Sequence, residues 1–523
     1  MRREDMLRKV RERAAAGEAW DIAVIGGGAT GVGVAVDAAT RGFDVVLVEA
    51  HDFGKGTSSR STKLVHGGVR YLEQGNIPLV MSALKERGLL RQNAPHLVHD
   101  LAFVVPNYSW WEAPFYGIGL KLYDLLAGKY GFGASKLLTK EETLQRLPAL
   151  EPEELRGGVV YYDGQFDDAR LLIHLAMTAA DHGATLVDYC PATKLLRDKD
   201  DYVNGLIARD DETGEELAIA ARVVVNATGV FTDDVRRMAD AKAEPLMVTS
   251  QGIHLVFDRS FLKGDTALMV PRTSDGRVLF VIPWHGHAVA GTTDTPVDAP
   301  SLEPKALDEE IEFILDTAGR YLSRPPTRGD VLAVYVGLRP LVRSSSEKTS
   351  ALSRDHVIHV DTSGLLTITG GKWTTYRHMA EDCVDHAITL GRLRDEACTT
   401  KNLRIHGYAE ATESEVEDSL DVYGADADAI RGMMNQQPAL AQQLHRELPY
   451  VAAEVVWAAR FEMARSVEDV LARRTRALFL NARAAVAMAE PVARLLAAEL
   501  GRDDKWAAEQ VSEFRELAKQ YMV

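Results

Sequence analysis

The strongest constraint on the fold lies near the N-terminus, in Val24-Ile25-Gly26-Gly27-Gly28-Ala29-Thr30-Gly31-Val32-Gly33. An apolar run beginning at Ile22 leads into it, and Val34, Ala35, Val36, Ala38 and Ala39 lead out, so the stretch reads as strand, glycine turn, helix. Gly26 allows the tight turn, Gly28 lets backbone come close to a pyrophosphate, and Gly31 lets helix and strand pack closely. The helix N-terminus then points unpaired N–H groups at the anion. A second apolar strand, Val45 to Val48, ends in Glu49, placed to take ribose hydroxyls and to repel a ribose phosphate. FAD or NAD is therefore favoured over NADP. Glycines at this spacing alone occur by chance, whereas strand, turn, helix, strand and terminal acid together specify a dinucleotide site in an α/β fold.

The 523 residues leave room for roughly two to four domains. A net charge of −16 and the lack of a long basic run argue against nucleic acid as a partner. An acidic chain that binds an anion must gather cations locally. Cys190, Cys383 and Cys398 are scattered, fit a reducing compartment and show no metal spacing. The charged opening, Met1 to Trp20, lacks the apolar core of a secretory signal, and no run is long and uncharged enough to span a bilayer. The expected location is cytoplasmic or on a membrane face.

After Glu49, hydroxyls cluster at Thr57, Ser58, Ser59, Ser61 and Thr62, interleaved with Arg60 and Lys63. This is either an ordinary solvated loop or one that hydrogen-bonds a flavin and phosphates. The run from Ser61 to Glu73, with its His66-Gly67-Gly68-Val69-Arg70-Tyr71-Leu72-Glu73 core, closely resembles the FAD-dependent glycerol-3-phosphate dehydrogenases. Gly337-Leu338-Arg339-Pro340-Leu341, Gly370-Gly371-Lys372-Trp373-Thr374-Thr375-Tyr376-Arg377 and Asp469-Val470-Leu471-Ala472-Arg473-Arg474-Thr475-Arg476 resemble the same family. Asn226-Ala227-Thr228-Gly229 resembles the strand that closes the cofactor domain in two-dinucleotide-type flavoproteins. The resemblance spans nearly the whole chain beyond the first twenty residues.

Between these motifs, Asp167 is placed to cap a helix from Asp168 to His182, and alternating strands fill 245–338 around one helix from about Leu307 to Tyr321. Alanine-rich amphipathic segments such as Val451 to Met463 and Ala477 to Ala489 suggest a separate helical bundle after Thr399. The expected architecture is a Rossmann-like FAD-binding domain of the two-dinucleotide-binding type, an antiparallel β-sheet substrate domain and a C-terminal α-helical domain. The FAD-binding domain takes residues 1–95, 166–244 and 339–398, a substrate- and membrane-facing insertion 96–165, the antiparallel domain 245–338, and the helical domain 399–523.

One segment crowds Tyr108, Trp110, Trp111, Phe115, Tyr116, Tyr123, Tyr130 and Phe132 around Ile118, Leu122, Leu125 and Leu126 at helical spacing, flanked by Lys121 and Lys129. It reads equally as an element lying in a membrane interface or as an aromatic core helix. The respiratory members of the resembled family sit on the membrane and reduce quinone, which favours a membrane surface near Trp110 to Leu126 and a peripheral location on the inner face of the cytoplasmic membrane. A homodimer is left open.

The resemblance implies oxidation of sn-glycerol 3-phosphate to dihydroxyacetone phosphate, with hydride passing from C2 to flavin N5 and electrons to quinone. Rival readings are an oxidase that uses oxygen and a non-catalytic FAD-binding module. A phosphate dianion calls for guanidinium groups and a lysine. Arg70, Arg339 and Lys372 are the expected cations, with Tyr71 as a neutral donor. Lys372, at a strand–Gly–Gly–helix junction, has a second task open to it, stabilising negative charge at flavin N1 and O2. The base for the hydroxyl proton is His254 or His66, with His254 preferred, or water oriented by Arg339. The expected cofactor contacts are Gly26, Gly28, Gly31, Glu49, Thr57, Ser58, Ser61, Lys63, His66, Thr228, Gly229, Gly370, Gly371, Lys372 and Thr374. No metal is expected.

Overall fold

The computed structural model describes residues 1–68, 76–109, 112–273, 276–343, 356–410 and 419–523, and for 112–115 the backbone alone. Arg70, Tyr71, Trp110 and Trp111 lie outside the described residues.

Trp20–Ile25 is an inner strand of an eight-stranded sheet. Apart from Asp21 its residues are buried apolar positions, as expected for a parallel strand with both faces packed. Val45–Val48 and Glu216–Asn226 flank it in parallel, with Ile25 paired to Val48 on one side and Asn226 on the other. Thr185–Val187 extends the sheet beyond Val45–Val48, and Leu366–Gly370 extends it beyond Glu216–Asn226. The glycine turn, Asn226-Ala227-Thr228-Gly229 and Gly370-Gly371 therefore emerge side by side at the C-terminal ends of neighbouring parallel strands, where open α/β sheets bind ligands. Helix Ala29–Thr40 packs beneath this edge between helices Asp168–Asp181 and Tyr376–Gly391. Asp167 caps the former, accepting from the Arg170 N–H at 3.0 Å.

A second, ten-stranded sheet covers the first sheet's ligand edge. Its pairings are antiparallel except between Thr266–Val270 and Val98–Asn107, which run parallel. Strands from 96–165 and from 245–342 thus form one sheet, so the insertion expected at 96–165 is part of the antiparallel layer. Met247–Asp258 and Val331–Val342 are its longest pair, the latter at the sheet's edge, with Ser250 opposite Arg339 and His254 opposite Tyr335. The second of these strands runs past residue 338, so Arg339 belongs to the sheet.

Helices Ala452–Phe461, Ala482–Leu500 and Asp504–Ala518 do not form a free-standing bundle. Their apolar faces share one core with Leu101, Phe103, Tyr161 and Tyr335 of the second sheet. A short hairpin, Gln443–His445 with Leu448–Val451, interrupts the helical pattern expected there.

Candidate active site

The glycine turn has the geometry its spacing predicts. Gly26 sits at φ +111°, and a Cβ there would lie 2.7 Å from the Ala227 carbonyl oxygen. A Cβ on Gly31 would collide with the Gly26 carbonyl, so helix and turn meet in a contact that only glycine permits. The Glu49 carboxylate accepts from the Gly27 N–H at 2.5 Å and the His51 N–H at 2.8 Å, which fixes it beside the turn. Burial raises the Glu49 carboxyl, opposed by those two N–H groups. The Ser58 hydroxyl accepts from the Ala29 N–H at 2.9 Å and joins the hydroxyl loop to the helix N-terminus.

From this turn a cavity of about 580 Å³ extends to the second sheet, a size usual for small-molecule sites. Gly26, Gly28 and Glu49 line one end. Thr57, Ser58, Ser61 and His66 line a wall, and Thr228, Gly229, Gly370, Gly371 and Thr374 line the strand ends. His254, Arg339 and Lys372 line the same cavity. Of the cofactor residues expected from sequence, Gly31 packs behind the turn and Lys63 does not line the cavity.

Lys63 is the correction. Its backbone turns through φ +64°, and its fully buried ammonium donates to both Asp168 carboxylate oxygens at 2.8 and 2.9 Å. Trp284, Tyr335 and Phe479 surround it, with ring centroids 4.8 to 5.4 Å away. Asp168 also accepts from the Ser61 N–H at 3.0 Å and hydroxyl at 2.7 Å. Lys63 therefore props the hydroxyl loop from behind rather than touching what the cavity holds.

His254 is buried with its Nε2 2.9 Å from the Thr62 hydroxyl and its ring stacked on Tyr335, the centroids 4.8 Å apart. Its Nδ1 has no hydrogen-bond partner among the described residues. Burial, with Lys63 and Arg339 nearby, holds His254 well below the ordinary histidine range, so at neutral pH it is an uncharged imidazole. Arg339 is held by a frame. One terminal nitrogen donates to the Gln251 carbonyl at 3.1 Å and to Asp294 at 3.2 Å, the other to the Thr292 hydroxyl at 3.2 Å and the Thr293 carbonyl at 2.7 Å. The guanidinium lies over Gly252, where a Cβ would strike it. Lys372 precedes the turn Trp373–Thr375, in which the Trp373 indole N–H donates to the Ser58 carbonyl at 2.9 Å.

Sequence reading did not single out Thr62, Tyr335 or Asp163. Thr62 lay within the hydroxyl run. Tyr335 reaches His254 through strand register, which no local pattern encodes. Asp163 accepts from Arg87 at 2.6 Å, from the Tyr123 hydroxyl at 2.8 Å and from the Gly67 N–H at 3.4 Å, and so anchors the loop next to His66.

The family model for FAD-dependent oxidoreductases matches residues 21–377, and fold and site together define this class of enzyme. The model for the C-terminal domain of alpha-glycerophosphate oxidase matches residues 365–507. The probable mitochondrial glycerol-3-phosphate dehydrogenase of Caenorhabditis elegans is 42% identical over 95% of this chain and 72% of its own length. The human mitochondrial glycerol-3-phosphate dehydrogenase is 41% identical over 95% of this chain and 73% of its own. The X-ray structure of the glycerol-3-phosphate dehydrogenase from Bacillus halodurans complexed with FAD aligns with a TM-score of 0.79 at 31% identity, over 98% of both chains. The chain belongs to the family of FAD-dependent glycerol-3-phosphate dehydrogenases.

The residues present fit FAD. Gly28 opens onto the cavity, where a Cβ would meet only the Ser58 hydroxyl, at 3.1 Å, and Gly229 has open space at φ +58°. The acid at the second strand end lines the same cavity as the glycine turn. Gly26, Gly28, Glu49 and the hydroxyl loop line the cavity together with Gly370, Gly371 and Lys372.

Proposed function

We propose that this enzyme oxidises sn-glycerol 3-phosphate to dihydroxyacetone phosphate and passes the electrons to membrane quinone. The observation that carries the reading is the meeting of Arg339 and the uncharged His254, from paired strands, in the cavity that begins at the dinucleotide turn. FAD, when bound, would supply the two-electron acceptor for the hydride leaving C2. Arg339 and Lys372 hold the phosphate end, together with Arg70 and Tyr71. The Arg339 charge is positioned before substrate arrives, because the frame around it leaves the guanidinium little freedom to reorient. His254 takes the hydroxyl proton, its ring set by Thr62 below and Tyr335 alongside. His66, which lines the same cavity, positions the isoalloxazine.

The quinone reading is supported by an apolar face on helix Glu112–Ala127. Leu120, Tyr123 and Ala127 are buried, whereas Ile118 and Leu125 are 73% and 77% exposed, with Leu122 and the neighbouring Leu137 also outward. Such a face beside Lys121 and Lys129 suits a peripheral membrane contact. Among the described residues no helix is long and apolar enough to cross a membrane.

Arg339→Ala is expected to reduce kcat/KM for sn-glycerol 3-phosphate by about 100-fold or more while the protein stays yellow, since a charged hydrogen-bonding partner is lost from the substrate and not from the cofactor. Unchanged turnover would remove Arg339 from the site.

A further inference from the structure

Arg339 is held by atoms of the strand Met247–Asp258 and of the segment after Gly291, and the same residues carry a second set of bonds on their far side. Gln251 accepts from Arg339 with its carbonyl and donates with its side-chain amide to Glu310 at 2.6 Å. Thr293 likewise accepts from Arg339 with its carbonyl and donates with its hydroxyl to Glu310 at 2.8 Å. The Thr295 hydroxyl adds a third side-chain donor at 2.6 Å. Glu310 is 5% exposed and comes from helix Asp308–Gly319, packed on the far side of the sheet.

A glutamate in the first turn of a helix commonly folds back onto the backbone ahead of it, and Glu310 does this too, accepting from the Leu307 N–H at 3.1 Å. That cap uses one lone pair. The other three bonds reach two segments outside the helix, and two of them end on residues whose carbonyls hold the Arg339 guanidinium. Charge-assisted bonds to a buried carboxylate are strong and directional, so they fix the Gln251 and Thr293 peptide units more firmly than neutral contacts would.

We infer that Glu310 is a positioning residue for Arg339: it locks the two carbonyls that aim the guanidinium into the cavity, and acts on substrate only through that arginine. This rests on the reading of Arg339 as a holder of the phosphorylated substrate. Glu310 touches neither substrate nor cofactor in this scheme. Replacing it by glutamine keeps the size but removes the charge, so the bonds to Gln251 and Thr293 become neutral ones and hold the two peptide units less firmly.

The test is a double-mutant cycle on FAD-loaded enzyme, read as the dissociation constant of dihydroxyacetone phosphate by calorimetry and as kcat/KM for sn-glycerol 3-phosphate. Glu310→Gln is expected to weaken both by roughly tenfold in the otherwise unaltered enzyme and by less than about twofold when Arg339 is already lysine. Thr295→Val, which removes one donor to Glu310 and leaves every contact of Arg339 in place, gives a smaller loss with the same dependence on Arg339, and serves if the glutamine variant does not fold. Equal losses in both backgrounds would make Glu310 a structural cap alone and overturn the inference. So would the absence of any loss. If Arg339→Lys itself changes neither quantity, the reading of Arg339 fails first, and that failure is visible without the Glu310 variants.

Discussion

Burial, the Lys63 ammonium and the Arg339 guanidinium all act on the imidazole of His254 in one direction, downward from the ordinary histidine range. The basic form is therefore present at neutral pH and is lost only as pH falls through the lowered value. The acid limb of kcat/KM should lie below pH 6.5, the unperturbed value, and His254→Asn should cost about 100-fold in kcat with FAD absorbance unchanged. A limb at the unperturbed value, or full activity in the variant, would take the proton-accepting role away from His254. His254 and Arg339 were legible because the sequence around each marks it as a candidate, His254 on an apolar strand and Arg339 in a motif that resembles a known family. Thr62, Tyr335 and Glu310 were not, since their partners lie on other strands and helices and depend on register. Lys63 was misread for a related reason. Its position among hydroxyls suggested a phosphate contact, but a left-handed backbone angle turns the side chain inward to Asp168.

The elements that carry the dinucleotide turn were legible from apolar runs and glycine spacing, and so was the helical character of the C-terminal region. How that region docks was not. Asp469–Arg474 forms a buried helical turn whose Arg474 makes a two-pronged contact with Asp52 at 2.7 and 2.8 Å, joined by Arg473. Asp52 stands just beyond Glu49, on the loop that Gly54 ties to the glycine turn through the Gly27 carbonyl at 3.1 Å. A motif recognised only by resemblance thus braces the cofactor loop. His406 makes a second tie, between Asp181 of the cofactor domain and Asp426 of the helical region, at 2.6 and 2.9 Å. Burial opposes its charge, but its hydrogen bonds to both carboxylates outweigh that and push His406 up to about 9. Because the folded value is raised, the stabilisation is complete below pH 6.5 and disappears as pH rises through about 9. His406→Gln should lower stability by about 1–2 kcal/mol at pH 6, after allowance for solvent screening, and by much less at pH 10. A deficit that does not depend on pH would show that packing, not charge, makes this tie.

Taken whole, the molecule brings two sheets to one cavity, the first supplying the turns and Lys372, the second supplying His254 and Arg339. Its net charge of −16 makes the convergence of Arg339 and Lys372 on one cavity the more informative, because the rest of the surface repels an anion. The exposed apolar face of helix Glu112–Ala127 adds a direction to the assembly. Replacing both Ile118 and Leu125 by Gln should leave stability within about 0.5 kcal/mol, as both are highly exposed and glutamine suits a helix, and should move the protein from liposomes to supernatant in a sedimentation assay. Unchanged partitioning would show that this face serves another purpose. The central claim is that the cavity oxidises sn-glycerol 3-phosphate and returns the electrons to quinone. Anaerobic stopped-flow mixing of the yellow holoenzyme with sn-glycerol 3-phosphate, followed by either a quinone analogue or aerated buffer, tests it most directly. The account predicts bleaching of the flavin and fast reoxidation by the quinone alone; a flavin that stays oxidised, or one that oxygen reoxidises as fast, would contradict it.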